Sequence, residues 1–228
     1  MNTDIIEKKI GIVFKDKALL EKAFTHRSYL NENRGLGLEH NERLEFLGDA
    51  VLELVVTDFL YRKYPKKPEG EMTSLRSALV NSTMLAEISS SLNFSEYLLL
   101  SRGEAKDKGR ARQYILANTF ESVVGAIYLD QGYAGADKFI GEFLLPKITE
   151  VEEKRLWIDA KSFFQEQAQE KFGSTPQYKT LKDHGPDHDK VFTVGVFIGE
   201  DLIAEGSGKS KQDAEQEAAR SALDKKGW

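Results

Sequence analysis

An all-α domain followed by a small α+β domain of order α-β-β-β-α is the fold this sequence predicts, and three observations predict it. From the N-terminus to about residue 150, apolar residues recur at three- and four-residue spacing, the period of helices that bury one face. Around "ITEVEEKRLWIDAK" the pattern turns charged with no clear core face, which puts a linker at 151–157. Beyond it the period shortens to that of strands between two flanking helices. The expected division is therefore 1–150, a linker at 151–157, and 158–228.

The helices of the first part are read from "DKALLEKAF", "LEFLGDAVLELVVTDFLYRKY", "MTSLRSALVNSTMLAEISSSL", "YILANTFESVVGAIYLDQ" and "AGADKFIGEFLLPKI", with Gly, Pro, Asn or Asp between them. In the second part "DAKSFFQEQAQEKFG" reads as a helix closed by Gly173. "PQYKTLKD", "KVFTVGVFIG" and "DLIAEGSG" read as strands, and "SKQDAEQEAARSALDKKG" as a second helix opened by Ser210. No internal repeat stands out.

Composition sets bounds. With 228 residues, 40% hydrophobic, the chain can bury a substantial core. It has no cysteine, so disulfides, thiolate metal sites and thiol catalysis are excluded, and a reducing, cytoplasmic setting is compatible. "MNTDIIEKKIGIVF" mixes acids with lysines, so neither a signal peptide nor a membrane span is expected. A net charge of −5 argues against coating nucleic acid by bulk attraction, so any such binding must use local geometry.

The residues that ask for chemistry lie in "HNERLEFLGDAVLELV". Glu42, Glu45 and Asp49 fall at i, i+3 and i+7, one stripe of a helix whose remaining circumference is largely apolar. Like charges beside apolar surface repel, and more so as they leave water. Two readings stand open on spacing alone: solvated acids favoured by the helix N-terminus, or hard oxygen ligands for Mg²⁺ or Mn²⁺.

"ERLEFLGDAVLELV" resembles the signature of the ribonuclease III family of double-stranded RNA endonucleases. "FTHRSY" at 24–29, "EGEMTSLRSALVN" at 69–81 and "GRARQYILANTFESVVGAIYLDQGY" at 109–133 resemble its other segments in order, and the tail resembles the duplex-RNA-binding domain of bacterial members. The resemblance implies an all-α nuclease domain and an αβββα reader of double-stranded RNA. It implies Glu45, Asp49, Asn118 and Glu121 as the metal positions, with Asp49 and Glu121 catalytic, and Glu69 as a further acid near the cleavage site. It implies Glu42 and Phe46 at the interface of a homodimer, so that two sites face opposite strands. For Phe46 an ordinary core position stays open, and for Glu69 a turn position before a helix. The implied reaction is Mg²⁺-dependent hydrolysis in precursor RNA, with Mn²⁺ as a substitute, giving 5′-phosphate and 3′-hydroxyl ends with short 3′ overhangs. No organic cofactor and no histidine base are implied, and His26 and His40 are expected to be structural.

One position departs from the family pattern. "LANTFES" places Asn118 where the family has Asp, so one of four anionic ligands becomes a neutral amide oxygen, and metal affinity should fall. The alternatives are a working variant, a site altered to trap substrate, or a duplex-RNA-binding protein with little or no activity. Persistence of Glu45, Asp49, Glu69 and Glu121 favours the first. The loop "GEAKDKGRAR", with Lys106, Lys108, Arg110 and Arg112, is read either as a phosphate contact or as a solvated loop.

A shape reader of duplex RNA needs patches at two minor grooves and the phosphates between. Gln165, Glu166 and Gln169 supply a polar helix surface; His188, in "GPDH", supplies a loop contact; Lys209, Ser210 and Lys211 sit at a helix N-terminus suited to phosphate. Here too there is a departure, since Gln212 stands where a second lysine is usual. From residue 158 onward ten Lys and Arg face thirteen Asp and Glu, a balance of −3, so the affinity of the tail is expected to be modest and salt-sensitive.

Overall fold

The computed structural model describes residues 3–186 and 190–228, in two units, 1–157 and 158–228. The first unit is helical throughout: α1 (Thr3–Ile10), α2 (Lys17–Ala23), α3 (Arg27–Glu32), α4 (Glu42–Lys63), α5 (Glu69–Val80), α6 (Ser82–Ser91), α7 (Arg110–Phe143) and α8 (Ile148–Glu153). α4 and α7 form its centre. They carry Leu44, Leu52, Val55, Val56 and Leu60 on one helix and Phe120, Val123, Val124 and Ile127 on the other, all buried. Phe24 meets Phe94 edge-on with ring centres 5.0 Å apart, and Phe120 meets Phe139 at 5.3 Å. Each such ring contributes about 1.5–3 kcal/mol by leaving water.

Caps explain where several helices start. Asp16 accepts the Ala18 N–H at 3.0 Å to open α2, and His26 accepts the Ser28 N–H at 3.3 Å to open α3. The apolar pattern over 72–92 reads as one helix, yet the chain breaks at Asn81, which is extended (ψ 157°) and caps α6 by accepting the Met84 N–H at 2.9 Å. The segments read as separate helices around 114–148 are indeed two helical stretches of α7, divided at Gly132 (φ 74°, ψ −170°), a non-helical conformation that only glycine adopts without strain. α1 and α3 are too short for periodicity to announce them.

The stretch read as a linker is packed at both of its ends. Val151 is fully buried in α8, and Leu156 and Trp157 lie against the core of the first unit. The many charges of 150–155 hid one apolar stripe, Ile148–Val151, that is enough to seat a single helical turn.

In the second unit α9 (Ala160–Phe172) precedes β1 (Gln177–His184), β2 (Val191–Ile198) and β3 (Asp201–Gly208), with α10 (Lys211–Lys226) last. The sheet is antiparallel in the order β1-β2-β3. Phe164, Val196, Ala218, Ala219 and Ala222 make its core. This is the expected αβββα order. Gly173 (φ 63°) ends α9, and Ser210 opens α10 by accepting the Asp213 N–H at 3.1 Å.

Candidate active site

The acids of α4 reach those of α7 because the two helices touch backbone to backbone. A Cβ on Gly48 would collide with the Glu121 carbonyl and lie 2.8 Å from the Gly125 nitrogen; one on Gly125 would collide with the Leu44 carbonyl. Only two hydrogens at this crossing allow the approach. The neighbours of these glycines, Glu45 and Asp49 on α4 and Asn118 and Glu121 on α7, are thereby drawn to the same edge of the helix pair. Sequence reading passed over Gly48 and Gly125. The available signal was a glycine inside each of two long apolar helices, where it costs about 1 kcal/mol against alanine and so calls for a packing reason.

Neighbouring structure holds this crossing in place. Asn41 is buried just before α4; its N–H donates to the Thr25 carbonyl at 2.9 Å and its side chain to the Ala23 carbonyl at 3.2 Å. Ser122 of α7 donates to the Asn118 carbonyl at 2.7 Å. The "FTHRSY" segment is thus structural: it holds the start of α4, and the Ser28 hydroxyl accepts the Ser101 N–H at 3.1 Å.

The electrostatics of the edge follow from its chemistry. Burial, then Asp49 and Glu45, push the Glu121 carboxyl up to about 8. Burial and the nearby Glu42 and Asp49 also raise Glu45, against which the Asn118 amide acts by hydrogen bonding to its charged form. Among the described residues none of Glu45, Asp49 and Glu121 is in an ion pair, and no three His, Cys, Asp or Glu side chains close to a metal-holding arrangement by themselves. Carboxylates gathered at a half-buried edge, with one carboxyl pushed up by burial and then by its neighbours, lack compensating positive charge. A hard divalent cation suits that oxygen donor set.

The remaining predicted residues fall elsewhere. Glu69 opens α5, accepts from the Thr73 hydroxyl at 3.0 Å, and lines a cavity of about 150 Å³ with Thr57, Leu60, Tyr61, Met72 and Arg76. Residues 57–61 lie about 12–18 Å along α4 from Asp49 at 1.5 Å per residue, so one chain does not bring Glu69 into the cluster. Glu42 lies 3.3 Å from Arg27 and 3.7 Å from His40. Phe46 is 82% exposed and is therefore not a core residue. It begins a stripe on α4 that continues through exposed Ala50, Leu54 and Tyr61. Of the basic loop, Lys106, Lys108 and Arg110 are exposed, but Arg112 donates to the Ser95 hydroxyl at 2.7 Å and ties α7 to its neighbour.

In the second unit Gln165, Glu166 and Gln169 share one exposed face of α9, where Gln169 accepts from the Thr175 hydroxyl at 3.1 Å. Lys209 and Lys211 are exposed at the start of α10. The Ser210 hydroxyl is engaged in the cap, donating to the Asp213 carboxylate at 2.6 Å while accepting its N–H, so it leaves fewer free donors for phosphate than the sequence suggested. His188 lies outside the described residues.

A helical unit pooling acids from two crossed helices, joined to an αβββα unit, defines a nuclease with a duplex-RNA reader. Residues 16–148 match the family model described as Ribonuclease-III-like, and residues 160–226 match the double-stranded RNA binding motif. Ribonuclease 3 of Pelotomaculum thermopropionicum is 46% identical over 219 residues, 96% of this chain and 91% of that protein. Ribonuclease 3 of Enterococcus faecalis is 46% identical over 97% of this chain and 96% of its own length. A structure of the Campylobacter jejuni ribonuclease III nuclease domain, titled for flexibility in a region involved in dimer formation, superposes with TM-score 0.58 at 38% identity, over 64% of this chain and 99% of that one. The chain belongs to the ribonuclease III family. It is a ribonuclease III-type endonuclease of double-stranded RNA.

Proposed function

We propose that this endonuclease works through Glu45, Asp49, Asn118 and Glu121, which hold Mg²⁺, and that two chains pair so that each cuts one strand. The observation that carries this reading is the crossing of α4 and α7 at Gly48 and Gly125, which gathers acids from two helices on one edge. Ribonucleases of this family are metal-dependent; Mg²⁺, with Mn²⁺ as substitute, is the ion that an all-oxygen set without Cys or His favours. When bound, the ion supplies a deprotonated water and offsets charge at the phosphorus. The chain's own part is to orient. Glu121 gives up the proton it holds at neutral pH when positive charge arrives, Asp49 and Glu45 complete the acidic wall, and Asn118 contributes an uncharged oxygen. The products would carry 5′ phosphates, 3′ hydroxyls and short 3′ overhangs, from precursor transcripts.

The apolar stripe Phe46, Ala50, Leu54 and Tyr61 supports the homodimer, since a two-fold pairing meets the same stripe on a second copy. Residues 1–150 serve as the nuclease and pairing unit, and 158–228 read the duplex through Gln165, Glu166, Gln169, His188, Lys209, Ser210 and Lys211, with 151–157 connecting them. Among the described residues no helix is long and apolar enough to cross a membrane, and we place the enzyme in the cytoplasm, where transcripts are processed. The test is long duplex RNA incubated with the protein in Mg²⁺ and in EDTA. Shortening in Mg²⁺ alone is expected. Intact but shifted duplex under both conditions would overturn the reading.

A further inference from the structure

The chain leaves the first unit by a path that touches the turn bearing Glu69. After α8, Arg155 adopts a left-handed conformation (φ 50°), unusual for a residue with a side chain, and the Leu156 N–H donates to the Val151 carbonyl at 2.9 Å. This reversal lays Trp157 back against the unit. There the Lys67 ammonium stands 5.2 Å from the Trp157 ring centre and 5.5 Å from that of Tyr64, and pairs with Glu71 at 2.7 Å. Lys67 lies within "YPKKPEG", the turn from α4 to α5, where Pro65 and Pro68 leave the backbone few conformations and the Lys67 N–H donates to the Tyr64 carbonyl at 3.1 Å. Tyr64 itself is partly buried against the core of the first unit. Burial first, and then the Glu152 carboxylate of α8, hold its phenol well above the usual range. Two residues after Lys67 comes Glu69.

We infer that Trp157 is a positioning residue for cleavage: through Lys67 it immobilises the α4–α5 turn and so fixes Glu69, which makes the segment leading to the duplex-binding unit part of the nuclease's own geometry. The inference rests on the reading of Glu69 as a cleavage-site acid. It assigns Trp157 and Lys67 a role that neither the acidic edge nor the duplex reader requires. The physical content is that one ammonium is shared by two aromatic rings and a carboxylate drawn from three places: the end of the unit, the end of α4 and the first turn of α5. Removing the Trp157 ring leaves Lys67 with its partners on the turn itself and none at the exit of the unit.

The test uses the full chain. In Trp157→Ala, backbone amides of residues 66–72 should exchange about two- to fivefold faster, the population shift that a cation–π contact at a partly exposed site supports. The single-turnover cleavage rate should fall by a similar factor while the Kd for duplex RNA is unchanged. Trp157→Phe, which keeps a ring, should restore both. Lys67→Met, which keeps the stem without the charge, should reproduce the loss and serves as the second probe should Trp157→Ala melt early. Combined with Glu69→Gln, Trp157→Ala should cost no further rate; an added loss would overturn transmission through Glu69. Unaltered exchange in both Trp157→Ala and Lys67→Met would overturn the clamp whatever Glu69→Gln does. A Glu69→Gln chain that cuts at the full rate would instead remove the cleavage role from Glu69, whatever the exchange shows, so the two failures are told apart.

Discussion

Replacing Glu121 by Gln keeps the shape of the side chain and removes its charge, and the result should be a nuclease that is dead but, without metal, more stable. Burial and the neighbouring carboxylates push the carboxyl up to about 8 in the fold, against the ordinary 4.5 of a glutamate in water. A raised carboxyl works against folding as pH climbs: nothing is lost below about 4.5, the penalty grows between the two values, and above about 8 it is complete. At 1.36 kcal/mol per unit, the wild-type cost is about 3 kcal/mol at pH 7 and about 5 kcal/mol above pH 8, as ceilings. In EDTA, Glu121→Gln should therefore raise the melting temperature of the first unit at pH 8, at about 2–4 °C per kcal/mol for a unit of this size. At pH 4 the two proteins should melt together. Thermal scans at both pH values, alongside duplex cleavage in Mg²⁺, make the check. An equal shift at both pH values, or a variant less stable at pH 8, would refute the argument that burial and like charge strain this edge, and retained turnover would remove Glu121 from the catalytic role.

Other outcomes follow from the same geometry. Gly48→Ala forces a methyl into the Glu121 backbone and should cost about 3 kcal/mol or more in urea unfolding, with cleavage lost together with the helix crossing. Asn118→Asp should lower the Mg²⁺ concentration giving half the maximal rate, read by titration; an unchanged midpoint contradicts the role assigned to that amide. Phe46→Asp, at a position 82% exposed, should leave the stability of the isolated chain within about 0.5 kcal/mol yet shift sedimentation towards monomer. Lys211→Ala should weaken duplex binding and lower the slope of log affinity against log salt by about 1.

Pattern was enough to read the type of most elements, because the long helices of the first unit bury one face and the strands of the second are short runs bounded by turn residues. α9, all three strands and α10 lie within a residue or two of where caps and turns put them. One helix end inside an apolar stretch escaped, since Asn81 breaks a continuous pattern through its own capping hydrogen bond, whereas the division at Gly132 was legible. Of the candidate site, the acids were legible through spacing and through resemblance, whereas what brings them together was not.

The sequence alone specified a helical unit, an αβββα unit, a family and the acids that the family's chemistry needs, because each of these is written in local spacing or in contiguous segments. The tertiary structure alone decided that Gly48 meets Gly125, that Glu69 stands apart from Asp49 within one chain, that Phe46 faces solvent, and that Trp157 reaches Lys67. Each of those is a contact or an exposure set by how distant helices cross, and the order of residues along a chain does not encode a crossing until the whole core has packed.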